Sequence, residues 1–194
     1  MDQLIEIIAI LSGITSVWFS RKENIWVYPT GLIGTILYVY ISFRGELYGE
    51  ASVNLYYTIM SLYGWYNWLR RDQQQTLVVH ITHSSPKEWR LEIAFFLVLY
   101  LVIYLCLTYI QQAFSPGAIP WADALASAAA FTGMWLMTQK KVNSWIWWMV
   151  TNICSIPLYH TKGYTLTSWY YCILLILAVM GWIEWRKKAN EQAS

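Results

Sequence analysis

The chain has 194 residues, 57% of them hydrophobic and only 12% charged, with 13 Trp, 15 Tyr and a net charge of +2. A soluble domain carries about a quarter charged residues, so this composition names a bilayer as the solvent. The small net charge, without a basic cluster interleaved with exposed aromatics, excludes a nucleic-acid surface.

Apolar windows between charged or turn-rich breaks predict seven membrane spans, at 3–19, 26–43, 50–69, 92–112, 121–138, 144–160 and 165–185. Met1 is followed by Asp2 and Glu6 instead of a basic segment, and no small-residue cleavage site follows, so the first span is expected to stay in the mature chain. Seven spans put the termini on opposite sides. Arg44 and Lys162 fall on the side of the N-terminus; Arg21, Lys22, Arg70, Arg71, Lys87, Arg90, Lys140, Lys141, Arg186, Lys187 and Lys188 fall on the other, 2 against 11. The excess of Lys and Arg marks the cytoplasmic face, which places the C-terminus inside and the N-terminus outside.

The first and last three spans repeat one another. WFSRKENIW, RGELYG and GWYNWLRR in 18–71 reappear as WLMTQKKVNSW, KGYTLT and GWIEWRKK in 135–188. Trp18, Arg44 and Trp65 are spaced by 26 and 21 residues, and Trp135, Lys162 and Trp182 by 27 and 20. Both triplets carry basic residues after their first and third spans, so they run through the bilayer in the same direction. Triplets of one direction need an odd linker, and span 92–112 supplies it. The expected architecture is a single all-α integral membrane domain over 1–194, with repeat one at 3–71, the linker helix, and repeat two at 121–188. Seven transmembrane helices in this 3+1+3 parallel-repeat arrangement place a solute site near the midplane, between the repeats.

Between spans three and four, DQQQTLVVHITHSSPKEW carries His80 and His83. Two histidines three apart can share a helical face as metal ligands, but the β-branched run around them reads as extended and separates them. A solvated loop is expected there, and no metal. Cys106, Cys154 and Cys172 form an odd set without CxxC, each in an apolar run, and read as packing residues. Ala122, Ala126 and Ala130 in span five form a small-residue face suited to close helix packing.

No HExxH, phosphate-loop or GxSxG motif is present, so the chain is not expected to be an enzyme or to need a cofactor. Asp123 and Glu184 lie near span ends, where charges reach water, and read as boundary residues; a proton-coupled carrier would need one of them. Polar groups deep in spans are more telling, because an unpaired amide in hydrocarbon costs several kcal/mol. In SWIWWMVTN, at about 100° per residue, Trp145, Trp148 and Asn152 share a face about 60° wide, and Trp147 points elsewhere, to lipid or a neighbouring helix. Asn54, Tyr57 and Ser61 have the same spacing in span three. Two such faces could line one pocket, with Tyr171 in span seven as a further member. An indole face attracts a cationic aromatic ring, and an amide both donates to and accepts from a carboxamide or hydroxyl. A Trp-rich face that merely packs helices in a non-transporting membrane scaffold is the contrary reading.

KENIWVYPTGLIG, LYGEASVNLYYTIMSLYGWYNW and WIWWMVTNICSIPLYHTKGY resemble the PnuC family of bacterial vitamin transporters over nearly the whole chain. The resemblance implies a fold similar to the SWEET sugar transporters and a place in the bacterial inner membrane. It also implies uptake of nicotinamide riboside by facilitated diffusion, or of thiamine by relatives, with trapping by a separate cytoplasmic kinase. It assigns Trp145, Trp148 and Asn152 to the substrate-contacting span and sets Asn54 where many members carry Gln. Ser144 departs from the Asn that riboside members often show before the first Trp. The partners implied are a small-molecule vitamin and the lipid bilayer, with self-association into a homo-oligomer left open.

Overall fold

The structure, a computed structural model, describes residues 2–44, 48–114 and 119–193. Within them run seven helices: α1 (Asp2–Arg21), α2 (Val27–Arg44), α3 (Tyr48–Leu69), α4 (Pro86–Phe114), α5 (Pro120–Thr138), α6 (Ser144–Thr161) and α7 (Thr165–Ala193). Two of the predicted boundaries move. α4 starts at Pro86, ahead of the expected 92, because Ser85 and Glu88 cap it reciprocally: Glu88 N donates to Ser85 Oγ at 3.3 Å and Ser85 N to Glu88 Oε2 at 2.7 Å. α7 continues beyond 185 through Arg186, Lys187 and Lys188. Among the described residues, Pro86–Tyr109 and Thr165–Gln192 are long and apolar enough to cross a membrane on those measures alone. The other helices are diluted by side chains such as Ser42, Ser61, Thr132, Thr151 and Asn152, all buried between helices.

Neighbouring helices pack in sequence within each triplet, α1 on α2 on α3 and α5 on α6 on α7, and the triplets meet where α1 packs on α7 and α3 on α5. α4 packs on α5. Ala122, Ala126 and Ala130 are buried, and Thr151 of α6 comes close enough to donate to the Ala126 carbonyl at 3.4 Å, so the small-residue face serves close packing.

Contacts between the triplets recur at an offset of 117 residues. Trp68 Nε1 donates to the Met137 carbonyl at 3.1 Å; the positions 117 away are Trp185 and Ser20, and Trp185 Nε1 donates to the Ser20 carbonyl at 3.2 Å. Tyr28 meets Trp68 edge-on at 5.1 Å, as Trp145 meets Trp185 at 5.5 Å. Two contacts join a position to its own counterpart 117 away, Ser20 Oγ to Met137 Sδ at 3.0 Å and Lys140 Nζ to Glu23 Oε1 at 2.8 Å.

These contacts gather at the end of the molecule rich in Lys and Arg. Tyr28, Trp68, Met137, Val142, Trp145 and Trp185 form one buried cluster there. The histidine-bearing loop differs from the solvated segment expected of it. Ile81 is 1% exposed and belongs to the same cluster, while Thr82 pairs with the α5–α6 connection through Thr82 N to Lys140 O and Val142 N to Thr82 O. The alternation expected of an extended run is present, but its apolar face covers a core instead of water. His83 Nε2 lies 3.0 Å from Asn190 Oδ1 on α7. Cys106 is exposed on α4 instead of packed, because that helix has a neighbour on one side only.

Candidate functional site

The acids at the span ends are engaged in ion pairs. Lys162 Nζ lies 2.7 Å from Asp123 Oδ1, which joins the start of α5 to the α6–α7 turn. Glu184 Oε1 lies 3.4 Å from Arg21 Nε and 3.6 Å from Lys22 Nζ, joining α7 to α1.

The uncharged candidates converge between the triplets. On α6 the Trp148 indole lies against Gly133 of α5, where an added methyl would sit 3.3 Å from Trp148 Cε2 and Nε1. The other side of that ring faces α3, with the Tyr57 ring centroid 6.2 Å away. Tyr57 also stands 6.1 Å from Phe131, and its neighbour Tyr56 donates its hydroxyl to the Phe131 carbonyl at 3.1 Å, which fixes α3 against α5. From α7, the Tyr171 phenol lies within electrostatic range of Tyr57 and stacks on Tyr159 at 5.2 Å. Asn152, one turn along α6 from Trp148, is 2% exposed, and its amide bonds to no described residue. On α3, Asn54 lies one turn before Thr58, whose hydroxyl sits 2.9 Å from the Asn54 backbone carbonyl and 3.0 Å from Thr35 Oγ1 of α2. Ser61, the third member of the α3 face, is buried.

Trp145 is sealed in the buried cluster against which Trp148 packs. It is 1% exposed in the aromatic cluster at the basic end, its ring flat on Gly181, where an added methyl would meet Cζ2 at 2.6 Å. Trp147 points away from the group, as its helical angle requires, and meets α4: its ring is 4.8 Å from Phe96 and its Nε1 donates to Glu92 Oε2 at 3.3 Å.

Glu92 escaped the sequence reading. It is 1% exposed and accepts from Asn143 Nδ2 at 3.2 Å as well as from Trp147, so one carboxylate ties the linker helix to the start of α6. A charge near the start of an apolar span reads as interfacial; the capping box at Ser85 was the signal that the helix begins earlier and carries Glu92 inward.

Trp148 and Tyr57, 6.2 Å apart between centroids, are in direct aromatic contact beside the Asn152 amide, so a flat ring bearing a donor and an acceptor enters between them only when they part. The family model described as "Nicotinamide mononucleotide transporter" matches residues 3–187. The chain belongs to that family. It is therefore a transporter and a multi-pass membrane protein, and not an enzyme. Among its relatives is the nicotinamide riboside transporter PnuC of Escherichia coli (strain K12), 27% identical over 210 aligned residues that cover 98% of this chain and 88% of the relative. The riboflavin/roseoflavin transporter RibM of Streptomyces davaonensis is 23% identical, over 89% of this chain and 80% of the relative. A crystal structure of the vitamin B3 transporter PnuC superposes with a TM-score of 0.78 at 26% identity, over 98% of this chain and 83% of that one. The seven-helix membrane fold is thus that of the family.

Proposed function

We propose that this family member takes up nicotinamide riboside by facilitated diffusion across the bacterial inner membrane, with its N-terminus outside and its C-terminus in the cytoplasm. A separate cytoplasmic kinase would then trap the product. The observation that carries the reading is the contact of Trp148 with Tyr57 beside the unbonded amide of Asn152, two aromatic faces that a flat ring can part. A positively charged pyridine ring suits the two aromatic faces, and its carboxamide suits Asn152. Asn54 and Tyr171 complete the walls, and Trp145 closes the site below. The contacts that recur at 117 residues, and the crossed packing of α1 on α7 and α3 on α5, support two parallel triplets linked by the peripheral α4, between which one central site can face either side in turn. Diffusion without proton coupling is supported by Asp123 and Glu184, both held by cations.

Liposomes containing the purified protein should accumulate labelled nicotinamide riboside down its gradient, without ATP and independently of a pH gradient. Uptake no faster than into protein-free liposomes would refute the proposal. Thiamine is the second reading, since it also offers a cationic aromatic ring to Trp148, and competition against riboside uptake separates the two.

A further inference from the structure

Five buried side-chain polar atoms among the described residues have no hydrogen-bond partner, Arg21 Nε, Tyr28 Oη, Ser84 Oγ, Ser144 Oγ and Trp145 Nε1, and of these only Tyr28 and Trp145 are counterparts. Tyr28 Oη and Trp145 Nε1 are buried without a hydrogen-bond partner, in side chains only 2% and 1% exposed. The two residues are the same position of the two triplets, 117 apart, each in the first turn of the middle helix. They are also seated alike. An added methyl at Gly64 would lie 2.5 Å from Tyr28 Oη, and one at Gly181 would lie 2.6 Å from Trp145 Cζ2, so each ring is pressed on the bare backbone of its triplet's third helix. Each then meets a tryptophan edge-on, Trp68 or Trp185, which itself bonds across to the other triplet.

A buried, unsatisfied donor makes its own conformation less stable, and a second conformation that hydrates it is favoured by the same amount. Chance orphans would not be expected at two counterpart positions in identical glycine seats. Trp145 stands one turn before Trp148 on α6, on the side of the basic end, in the same packed cluster as Tyr28.

We propose that Tyr28 and Trp145 are the paired leaves of the gate on the basic side, and that each gains a partner, water or the polar edge of the passing solute, only when the gate opens. The inference rests on the transport reading and adds to it a residue pair and a direction of bias. The closed end is held by shape and by the two indole-to-carbonyl bonds, while the two orphan donors keep it from becoming a trap.

Tyr28→Phe tests this, because it removes the hydroxyl and keeps the ring. Relief of one orphan group should shift the balance toward the closed form by about fivefold. The variant is expected to melt no lower than the wild type and to take up riboside several-fold more slowly. A lower melting temperature would mean that the hydroxyl is bonded in the closed state, and either that result or an unchanged uptake rate overturns the gate. Wild-type protein that neither takes up nor is stabilised by the riboside would instead remove the transport reading beneath it.

Discussion

Lys140 and Glu23 occupy the same position of the two triplets, 117 residues apart, and hold each other at 2.8 Å. Both sit in left-handed backbone, at φ 52° and 57°, because each ends the turn that leads from a first helix to a second. Such a conformation is uncommon away from glycine, and its occurrence at two counterpart positions shows that the two turns are built alike. Their charges differ, so a contact that would be repulsive between identical residues is an ion pair. Lys188 adds a second cation, 2.9 Å from Glu23 Oε2.

Glu23→Gln is expected to lower stability at neutral pH by about 2 kcal/mol, since it leaves the Lys140 ammonium buried without its counter-charge. The pH profile follows from the same contacts. Burial raises the Glu23 pKa, but hydrogen bonds and charge from Lys140 and Lys188 outweigh it and hold the carboxyl below its ordinary 4.5. A depressed folded pKa means that the stabilisation is complete well above 4.5 and is lost as the pH falls through the folded value. The melting temperature of the detergent-solubilised wild type should therefore drop more steeply than that of Glu23→Gln on acidification below that point.

The glycine seats give a graded prediction. Alanine in place of a helical glycine ordinarily stabilises by up to about 1 kcal/mol, so the sign depends on what the methyl meets. At Gly181 it meets three Trp145 atoms within 2.7 Å, in a fully packed cluster, and overpacking of about 1–3 kcal/mol should win. At Gly133 it meets Trp148 at 3.3 Å, a contact that a shift of the ring by a few tenths of an ångström relieves. Thermal melting should rank Gly181→Ala well below Gly133→Ala. Gly133→Ala should instead weaken binding of the proposed riboside by pressing Trp148 onto Tyr57.

Glu92 should prove the polar anchor of the linker helix. Glu92→Ala strands Asn143 Nδ2 and Trp147 Nε1 and is expected to cost about 2–3 kcal/mol, whereas Glu92→Gln keeps one acceptor and should cost less than half of that. Chemical denaturation of the two variants in one detergent checks the order; equal losses would show that the carboxylate's charge, not its bonds, holds the helices.

The helices were legible because the bilayer demands long apolar runs and the basic residues mark their ends. The expectation of a repeat rests on the spacing of Trp18, Trp65, Trp135 and Trp182. Pairing between distant helices was not legible, because no periodicity within a helix reports which carbonyl an indole such as Trp68 will reach. Trp145 and Trp148 illustrate the limit. Helical angle puts them on one face, but Trp145 is sealed inside a buried cluster while Trp148, one turn on, packs at its edge against Tyr57, and only packing distinguishes the two. Ile81 was hidden likewise: a polar loop conceals its single apolar anchor until the core it plugs is known.

Asn152 and Trp148 are the proposed place of solute binding. Ligand-induced thermal stabilisation of the purified protein, titrated with nicotinamide riboside, thiamine and riboflavin, measures this most directly. At a concentration about 100-fold above Kd a ligand specific for the folded state adds about 2.7 kcal/mol. The riboside should raise the melting temperature of the wild type, and Asn152→Ala and Trp148→Ala should each lose that rise while melting near the wild-type temperature without ligand. An equal rise in the wild type and both variants would contradict the site.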